Sequence, residues 1–241
     1  MKRENDTIYL YGDDIGKVEL VQTIGNDLSV VNAARVSFGV EKEELDERDK
    51  KLINYLVKHK HTSTLEHCFM TFKFVVPLYV RSQHHRHRTW SYNEISRRYT
   101  DVDIQFYEPK TFRTQHETNR QASNQDNINP DLKEFKSTLV PSQPLYADEA
   151  LRWHHRRCLD LFNTLLEKGV CREQARGVLP QNLYTTYIGS VNLNNLLKFV
   201  ALRDHEGAQW EIQQMARACL TLAQEYFPHT INSYRENSQG H

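Results

Sequence analysis

The clearest pattern in the chain is an alternation of apolar and polar positions over residues 68–76. Met70, Phe72, Phe74 and Val76 alternate with polar neighbours such as Lys73. Side chains on a strand point alternately to its two faces, so this pattern predicts a half-buried β-strand. Residues 17–25 predict another strand, residues 26–37 a helix capped by Asn26 or Asp27, and residues 49–60 a helix with its apolar positions at helical spacing.

The patterns that follow predict a second strand of the same sheet and several more helices. Pro77 suits the first turn of a short helix through residues 78–86, and residues 101–107 alternate again, as a strand does. A long helix over 147–165 would end at Gly169, and a short helix over 172–180 would stop before Pro180. Residues 182–192 resemble a strand, and residues 193–203 and 208–227 predict helices. The predicted fold class is α+β, with helices packed around a small, largely antiparallel sheet.

Two polar stretches interrupt these patterns. Residues 61–67 (HTSTLEH) predict a turn in which Ser63 and Glu66 have capping-box spacing. Residues 114–144 lose all hydrophobic periodicity, which predicts a surface excursion or lid. Because no other boundary is visible, we expect residues 1–241 to form a single domain.

The overall charge excludes one class of protein. Lys and Arg number 31 and so do Asp and Glu, which argues against a protein that grips long nucleic acid by its phosphates. No run approaches the roughly 18 apolar residues of a membrane helix, and no secretory signal is visible, so we expect a cytoplasmic protein without a membrane partner. The four cysteines are far apart, and we expect reduced, structural thiols.

Positive charge is instead concentrated in residues 83–99, QHHRHRTWSYNEISRRY. The segment carries four arginines and three histidines but only one carboxylate, Glu94. Burying unpaired cations is costly, so the segment must face water, carboxylates or a bound anion.

Residues of these types suggest three kinds of site: a metal site, a cysteine nucleophile and a phosphate-binding site. Histidines are plentiful, but none has the spacing of a zinc motif, so we expect no metal. Cys171 begins a helix beside Arg172, an arrangement that favours a thiolate nucleophile, although a buried or incidental thiol is the simpler interpretation. Phosphate binding fits best, because arginine matches phosphate oxygens in pairs and Ser91, Asn93 and Ser96 can add neutral hydrogen bonds. A salt-bridged, solvated face is the structural alternative, and a nucleotide- or RNA-binding module is the functional one.

The segment resembles the signature of the flavin-dependent thymidylate synthases. Arg86-His87-Arg88 followed by seven residues and then Ser96 matches that signature. The sequences GNDLSVVNAARVSFG, HTSTLEH, ARGVLPQNLYT and LRDHEGAQWEIQQ also look like family segments in the family's order. The resemblance covers most of residues 15–110 and 150–230.

The resemblance implies reductive methylation of dUMP to thymidylate. Methylenetetrahydrofolate would supply the one-carbon unit, and FAD reduced by NADPH would supply the hydride. The family's enzymes are homotetramers whose flavins lie between subunits, so we expect a homotetramer with shared active sites.

Matching positions imply roles for individual residues. Arg203 should lie against the uracil ring as the catalytic residue. The residues implied for flavin are His61, Ser63, Arg86, His87, Arg88, Glu94, Asn192, Asn194 and Lys198. Those implied for the nucleotide are Gln83, His84, His85, Arg86, Glu94, Ser96, Arg97, Arg98, Arg176 and Arg203.

Three of these positions need comment. Lys198 departs from the asparagine or histidine typical of relatives, and Ser63 replaces a common threonine. Ser96 is tempting as a covalent nucleophile, but Arg97 and Arg98 cannot accept its proton. We therefore expect Ser96 to be a phosphate ligand.

Overall fold

The sheet is built around strand β4 (Phe69–Pro77), whose alternating side chains enter the core. The side chains of Met70, Phe72, Phe74 and Val76 are all fully buried, which confirms the predicted strand. Its neighbour β3 (Lys17–Ile24) pairs with it antiparallel, with Val18 opposite Phe74 and a bulge between Leu20 and Gln22.

Six strands form this sheet in the order β1-β2-β3-β4-β8-β5. The pairs β1/β2, β2/β3, β3/β4 and β5/β8 are antiparallel. The strands not yet given are β1 (Lys2–Glu4), β2 (Thr7–Tyr9), β5 (Ser91–Glu94) and β8 (Tyr184–Asn192).

The structure is a computed structural model that describes residues 1–132 and 146–238. Its contacts divide the chain into two compact units. Unit 1 comprises the described residues of Met1–Val76, Val80–Glu94 and Thr186–His241, and unit 2 those of Pro77–Tyr79 and Ile95–Thr185. The expectation of a single domain stays a prediction.

The helices associated with unit 1 begin and end largely where the hydrophobic pattern predicts, except for the last one, Pro228–Ser238, which was not predicted. Asn26 caps α1 by accepting a hydrogen bond from the Ser29 amide at 3.1 Å, and Asp46 caps α2. Helix α7 buries most of its residues, so it forms the helical side of the core. The helices are α1 (Asp27–Arg35), α2 (Glu47–Lys58), α3 (Leu78–His84), α6 (Leu193–Arg203), α7 (Trp210–Ala223) and α8 (Pro228–Ser238).

Unit 2 has its own apolar core. Phe162 on helix α4 (Ala147–Glu167) packs with Ala175, Leu179 and Leu183. Helix α5 (Arg172–Ala175) continues into a 3₁₀ turn over Arg176–Val178. Strands β6 (Phe112–Gln115) and β7 (Ser123–Ile128) form a separate antiparallel hairpin. With helices and a largely antiparallel sheet, the α+β class is confirmed.

Two local predictions need correction. Residues 101–107 form no strand of the main sheet: Phe106 makes one isolated bridge to Leu183, and Ile104 and Phe106 pack against the core of unit 2 instead. The Ser63–Glu66 pair forms no capping box, because Thr62–Leu65 is a 3₁₀ turn that is followed by β4. The polar stretch 114–144, expected to be a surface excursion or lid, includes most of the β6/β7 hairpin, and its residues 133–144 lie outside the described residues, so that expectation stays a prediction.

Candidate functional site

The arginine- and histidine-rich segment starts at the end of α3 and passes through a tight turn into β5. The turn is closed by backbone hydrogen bonds from His87 N to His84 O at 2.9 Å and from Trp90 N to His87 O at 3.3 Å. Strand β5 then pairs with β8, with Glu94 opposite Tyr187. The first twelve residues of the segment, 83–94, therefore belong to unit 1, and we call them the inner half; residues 95–99 belong to unit 2 and form the outer half.

His84 anchors the inner half in the core. Its side chain is fully buried, and its Nδ1 lies 2.8 Å from the Tyr187 hydroxyl. The rings of Phe74, Trp90 and Phe199 surround it at centroid distances of 4.6–5.0 Å. Burial holds the pKa of His84 well below its usual value, with smaller effects from nearby cationic groups, so the ring is neutral. Although the sequence assigned His84 to the nucleotide, its side chain is enclosed by protein.

Tyr92 also holds the turn. Its hydroxyl lies within hydrogen-bonding distance of two backbone carbonyls, His84 O at 3.0 Å and His87 O at 3.2 Å. The His85 ring stacks on Tyr92 at 4.1 Å between centroids, and burial lowers the pKa of His85. The histidines of the inner half are therefore held by aromatic packing, and His85 also covers the tyrosine that closes the turn.

Arg203, at the end of α6, contacts the same turn. Its Nε donates to Nε2 of His87 at 3.0 Å, so the imidazole carries its own hydrogen on Nδ1. Burial, together with the charge of Arg203, lowers the pKa of His87 to about 4. A neutral His87 can accept this hydrogen bond at neutral pH. The terminal nitrogens of Arg203 make no hydrogen bond within the described residues and remain available to a ligand.

Two guanidinium groups of the inner half are free. Arg86 and Arg88 are exposed, and neither side chain forms an ion pair within residues 1–132 and 146–238. Glu94, the carboxylate of the inner half, does form an ion pair, because its Oε1 lies 3.1 Å from Nε of Arg81. The Oε1 atom of Gln83 is buried and has no partner in the described part of the chain. Unpaired cations at the surface are suited to an anionic ligand.

The residues predicted at the start of α6 have partners of their own. Asn192 caps the helix by accepting from the Asn195 amide at 2.9 Å. Asn194 is buried and donates to Glu66 Oε1 at 2.8 Å. Lys198 is exposed and, with Asn194, lines a cavity of about 830 Å³. Ser63 and His61 are exposed in and beside the 3₁₀ turn, and the His61 ring meets Tyr55 edge-on at 5.5 Å.

The outer half of the segment is organised only by local contacts. Ser96 Oγ lies 3.4 Å from the Arg98 amide and 3.5 Å from its Nε, and the Arg98 side chain also reaches the Tyr99 hydroxyl at 3.2 Å. Arg97 donates to the backbone oxygen of Val102 at 2.6 Å. Arg176 begins the 3₁₀ turn after α5 and is exposed. These four residues all belong to unit 2.

The competing kinds of site gain no support from the contacts. Within the described residues, no group of three or more histidines, cysteines or carboxylates could hold a metal ion. Cys171 is exposed, and its Sγ contacts Gln174 at 3.8 Å rather than a histidine base. No helix in the described part of the chain is long and apolar enough to cross a membrane.

Sequence reasoning missed the residues that support the site. Tyr187, which bonds His84, lies on the inward face of β8, and the alternation over residues 184–191 could have identified it as buried. Gly189 lies in the same strand, where an added Cβ would come within 3.1 Å of Phe74 and 3.2 Å of Trp90. No local pattern indicates these contacts, because they join residues about one hundred positions apart in the chain.

Comparisons with known proteins identify relatives along nearly the whole chain. A family model described as "Thymidylate synthase complementing protein" matches residues 19–229. A flavin-dependent thymidylate synthase of Thermus thermophilus is 40% identical over 224 residues, which cover 93% of this chain and 77% of the relative. One of Thermotoga neapolitana is 39% identical over 222 residues, covering 92% and 91%.

Two solved structures share the fold. Both are of the UMP/dUMP methylase PolB from Streptomyces cacaoi. The crystal structure bound with 5-Br dUMP has a TM-score of 0.75 and 30% identity, and covers 95% of this chain and 97% of the other. The crystal structure bound with 5-Br UMP has a TM-score of 0.74 and 28% identity, with coverage of 92% and 94%.

Proposed function

Because this chain belongs to the flavin-dependent thymidylate synthase family and is an enzyme of that family, we propose that it methylates dUMP at C5 to give thymidylate. Methylenetetrahydrofolate donates the one-carbon unit, and NADPH is the reductant. The observation that carries the proposal is the Arg203–His87 pair beside the unpaired Arg86 and Arg88 in the inner half. The nucleotide- or RNA-binding module is set aside, since the family is one of enzymes.

Arg203 is the proposed catalytic residue. During attack on the folate carbon, electron density builds up on the uracil ring and its carbonyl oxygens. A guanidinium already fixed by a hydrogen bond from its Nε can direct its terminal nitrogens to that charge without further reorganisation. The neutral His87 orients Arg203 through this hydrogen bond and adds no second positive charge beside it.

The residues present fit a flavin. Two exposed guanidinium groups, Arg86 and Arg88, can bind the FAD diphosphate. Asn194 and Lys198 line a cavity within the size range of ligand pockets. When bound, FAD supplies the hydride chemistry that no side chain can perform. The remaining proposed flavin contacts are His61, Ser63, His87, Glu94 and Asn192, and of these Asn192 already has a structural role as a helix cap.

The nucleotide phosphate is assigned to residues with neutral and cationic donors. We propose that Ser96, Arg98 and Arg176 bind it. Gln83 is proposed to contact a donor of the nucleotide, such as a ribose hydroxyl or the uracil N3–H, because its buried amide oxygen can only accept a hydrogen bond. Arg97 would contribute its positive charge and no hydrogen bond, because its terminal nitrogens already donate to the backbone carbonyls of Val102 and Asp103. His84 and His85 would act through their backbone and through packing.

A homotetramer with shared active sites and a cytoplasmic location complete the proposal.

Flavin content and substrate-dependent oxidation of NADPH test this function. The purified protein should be yellow, and with methylenetetrahydrofolate present it should oxidise NADPH faster when dUMP is added. UMP is a necessary comparison, because the neighbouring structures are of a UMP/dUMP methylase. The proposal would be refuted by a colourless protein that takes up no added FAD. It would also be refuted if the rate of NADPH oxidation stayed the same on addition of either dUMP or UMP.

A further inference from the structure

An ion pair in unit 2 joins the two chain segments that carry the proposed phosphate ligands. Nη2 of Arg172 donates to Oδ2 of Asp101 at 3.0 Å. Asp101 directly follows the tight turn that begins at Ser96. The amides of Tyr99 and Thr100 close this turn by donating to the Ser96 carbonyl at 2.9 and 3.3 Å. Neither Asp101 nor Arg172 has a role in the proposed chemistry.

On the other segment, two arginines follow one another along a helical path. Arg172 begins helix α5, and Arg176 comes four positions later, where the 3₁₀ turn starts. Four helical residues make about one turn and rise by roughly 6 Å, so the two residues are near neighbours. Both side chains are exposed, but Arg176 forms no ion pair within the described residues, whereas Arg172 is bonded to Asp101. A ligand can therefore use one arginine of the two directly.

Asp101 carries a negative charge beside the proposed phosphate ligands. The hydrogen bond from Arg172 lowers the pKa of Asp101, so the carboxylate is ionised at neutral pH. The same charge acts on Arg97: burial lowers the pKa of Arg97, and the charges of Asp103 and Asp101 oppose that change. The two side chains of the pair are 42% and 45% exposed, and an ion pair this exposed adds little to stability. Removing the carboxylate should therefore leave the fold intact.

We propose that Asp101 determines how many phosphates the nucleotide site accepts: it holds Arg172 and adds a negative charge, so that the site binds a nucleoside monophosphate in preference to a di- or triphosphate. The inference rests on the proposed function, which assigns the nucleotide phosphate to Ser96, Arg98 and Arg176. A second or third phosphate extends past these ligands and needs a further cation, but the neighbouring one is already bonded to Asp101. Specificity is a difference of affinities, and a like charge facing the unwanted ligand increases it.

Asp101→Asn is the informative variant, because asparagine keeps the size of the side chain and removes its charge. We expect it to tighten dUTP binding by roughly three- to tenfold, between the values of an exposed ion pair and of a hydrogen bond to a charged group, and to change dUMP binding by about twofold or less. Calorimetric titration of the FAD-loaded protein with dUMP, dUDP and dUTP in magnesium-free buffer measures both effects. The gain for dUTP should shrink at high salt, because exposed charges are screened.

Two matched variants identify the cause. Glu173→Gln removes an exposed carboxylate of the same helix, and within the described residues this carboxylate holds no arginine, so the preference for dUMP should not change. Asp101→Asn combined with Arg172→Gln should return the preference close to that of the unmodified protein, because the released guanidinium is gone.

Three results would overturn the inference. Weaker dUMP binding in Asp101→Asn would show that the pair only ties the two segments together. The other two are an unchanged preference, and a double variant that still binds dUTP as well as Asp101→Asn does. If thymidylate forms and the preference does not change, only the role of Asp101 is wrong. A preference that depends on Asp101, without thymidylate formation from dUMP, would leave the inference standing and refute the proposed reaction.

Discussion

The two halves of the Arg/His segment are consecutive in sequence but are held in different ways. In the inner half, residues 83–94, His84 is buried against Tyr187 and the Tyr92 hydroxyl contacts two backbone carbonyls of the turn. In the outer half, residues 95–99, Ser96 and Arg98 contact mainly each other and their immediate neighbours. The inner half is organised before any ligand binds, as electrostatic catalysis requires, whereas the outer half offers donors that a phosphate can organise.

The strongest test of this contrast is Arg203, which the inner half positions. Arg203→Ala should lower dUMP-dependent turnover by about two to three powers of ten, the usual cost of removing a preorganised donor to developing charge. It should keep its flavin, because Arg203 is assigned to the uracil. Arg88→Ala is the control, since it should release flavin. Loss of flavin from both variants to the same degree, measured by absorbance, would contradict this division of roles.

Ser96 tests the outer half. Ser96→Ala should weaken dUMP binding by about 1.5–3 kcal/mol, the value of a hydrogen bond to a charged group, and should still form thymidylate at saturating dUMP. Equilibrium binding of dUMP and the maximal rate are the two measurements. A trapped adduct between Ser96 and uracil, or an enzyme that binds dUMP and FAD without turnover, would show that Ser96 is a nucleophile.

Tyr187 tests whether the inner half is held by its buried hydrogen bond. Tyr187→Phe removes the hydroxyl beside His84 Nδ1 and should lower the free energy of unfolding by about 1–3 kcal/mol, because the buried imidazole loses its partner. Tyr99→Phe is the matched control from the outer half. Tyr99 is 76% exposed, so its change should stay within about 0.5 kcal/mol. Equal losses in denaturant titrations would remove the distinction between the halves.

The last prediction concerns the protonation of His87. Its pKa is about 4 in the folded protein and near 6.5 when unfolded, so below pH 6.5 the unfolded chain binds a proton that the folded chain does not. This contribution to stability is complete above pH 6.5 and is lost as the pH falls toward 4. His87→Gln, which keeps an acceptor for Arg203, should show a shallower fall in unfolding free energy over this range. An unchanged slope would show that His87 titrates normally.

The sequence predicted most accurately the helices and strands that have a clear hydrophobic periodicity of their own. The alternation in β4 and the helical spacing in α2, α4, α6 and α7 survive in the structure because each element buries one face. Strand β5 was missed because it lies at the edge of the sheet, where three of its four residues are exposed and no alternation remains. The polar α8 was missed because its pattern also lacks a clear apolar face. Residues 101–107 alternate like a strand, but their apolar positions pack into the core of unit 2 and pair at only one isolated bridge.

The candidate site also has a part that the sequence could predict and a part that it could not. Its residue types and the motif around Arg86 were visible in the sequence, and they led to a family that the comparisons confirm. The supporting contacts were not visible, since Arg203–His87 and His84–Tyr187 join positions more than one hundred residues apart. A local pattern can indicate which side chains face solvent, but only the fold shows which of them are bonded to each other.

The central claim is that this enzyme transfers a one-carbon unit to C5 of dUMP, and the fate of that carbon tests it most directly. The FAD-loaded protein would be given dUMP, NADPH and methylenetetrahydrofolate with a heavy-carbon label in the methylene group, and the nucleotide product analysed by mass spectrometry. We predict that the label appears in the 5-methyl group of thymidylate. Flavin-loaded enzyme that leaves dUMP unlabelled with every co-substrate present would contradict the claim.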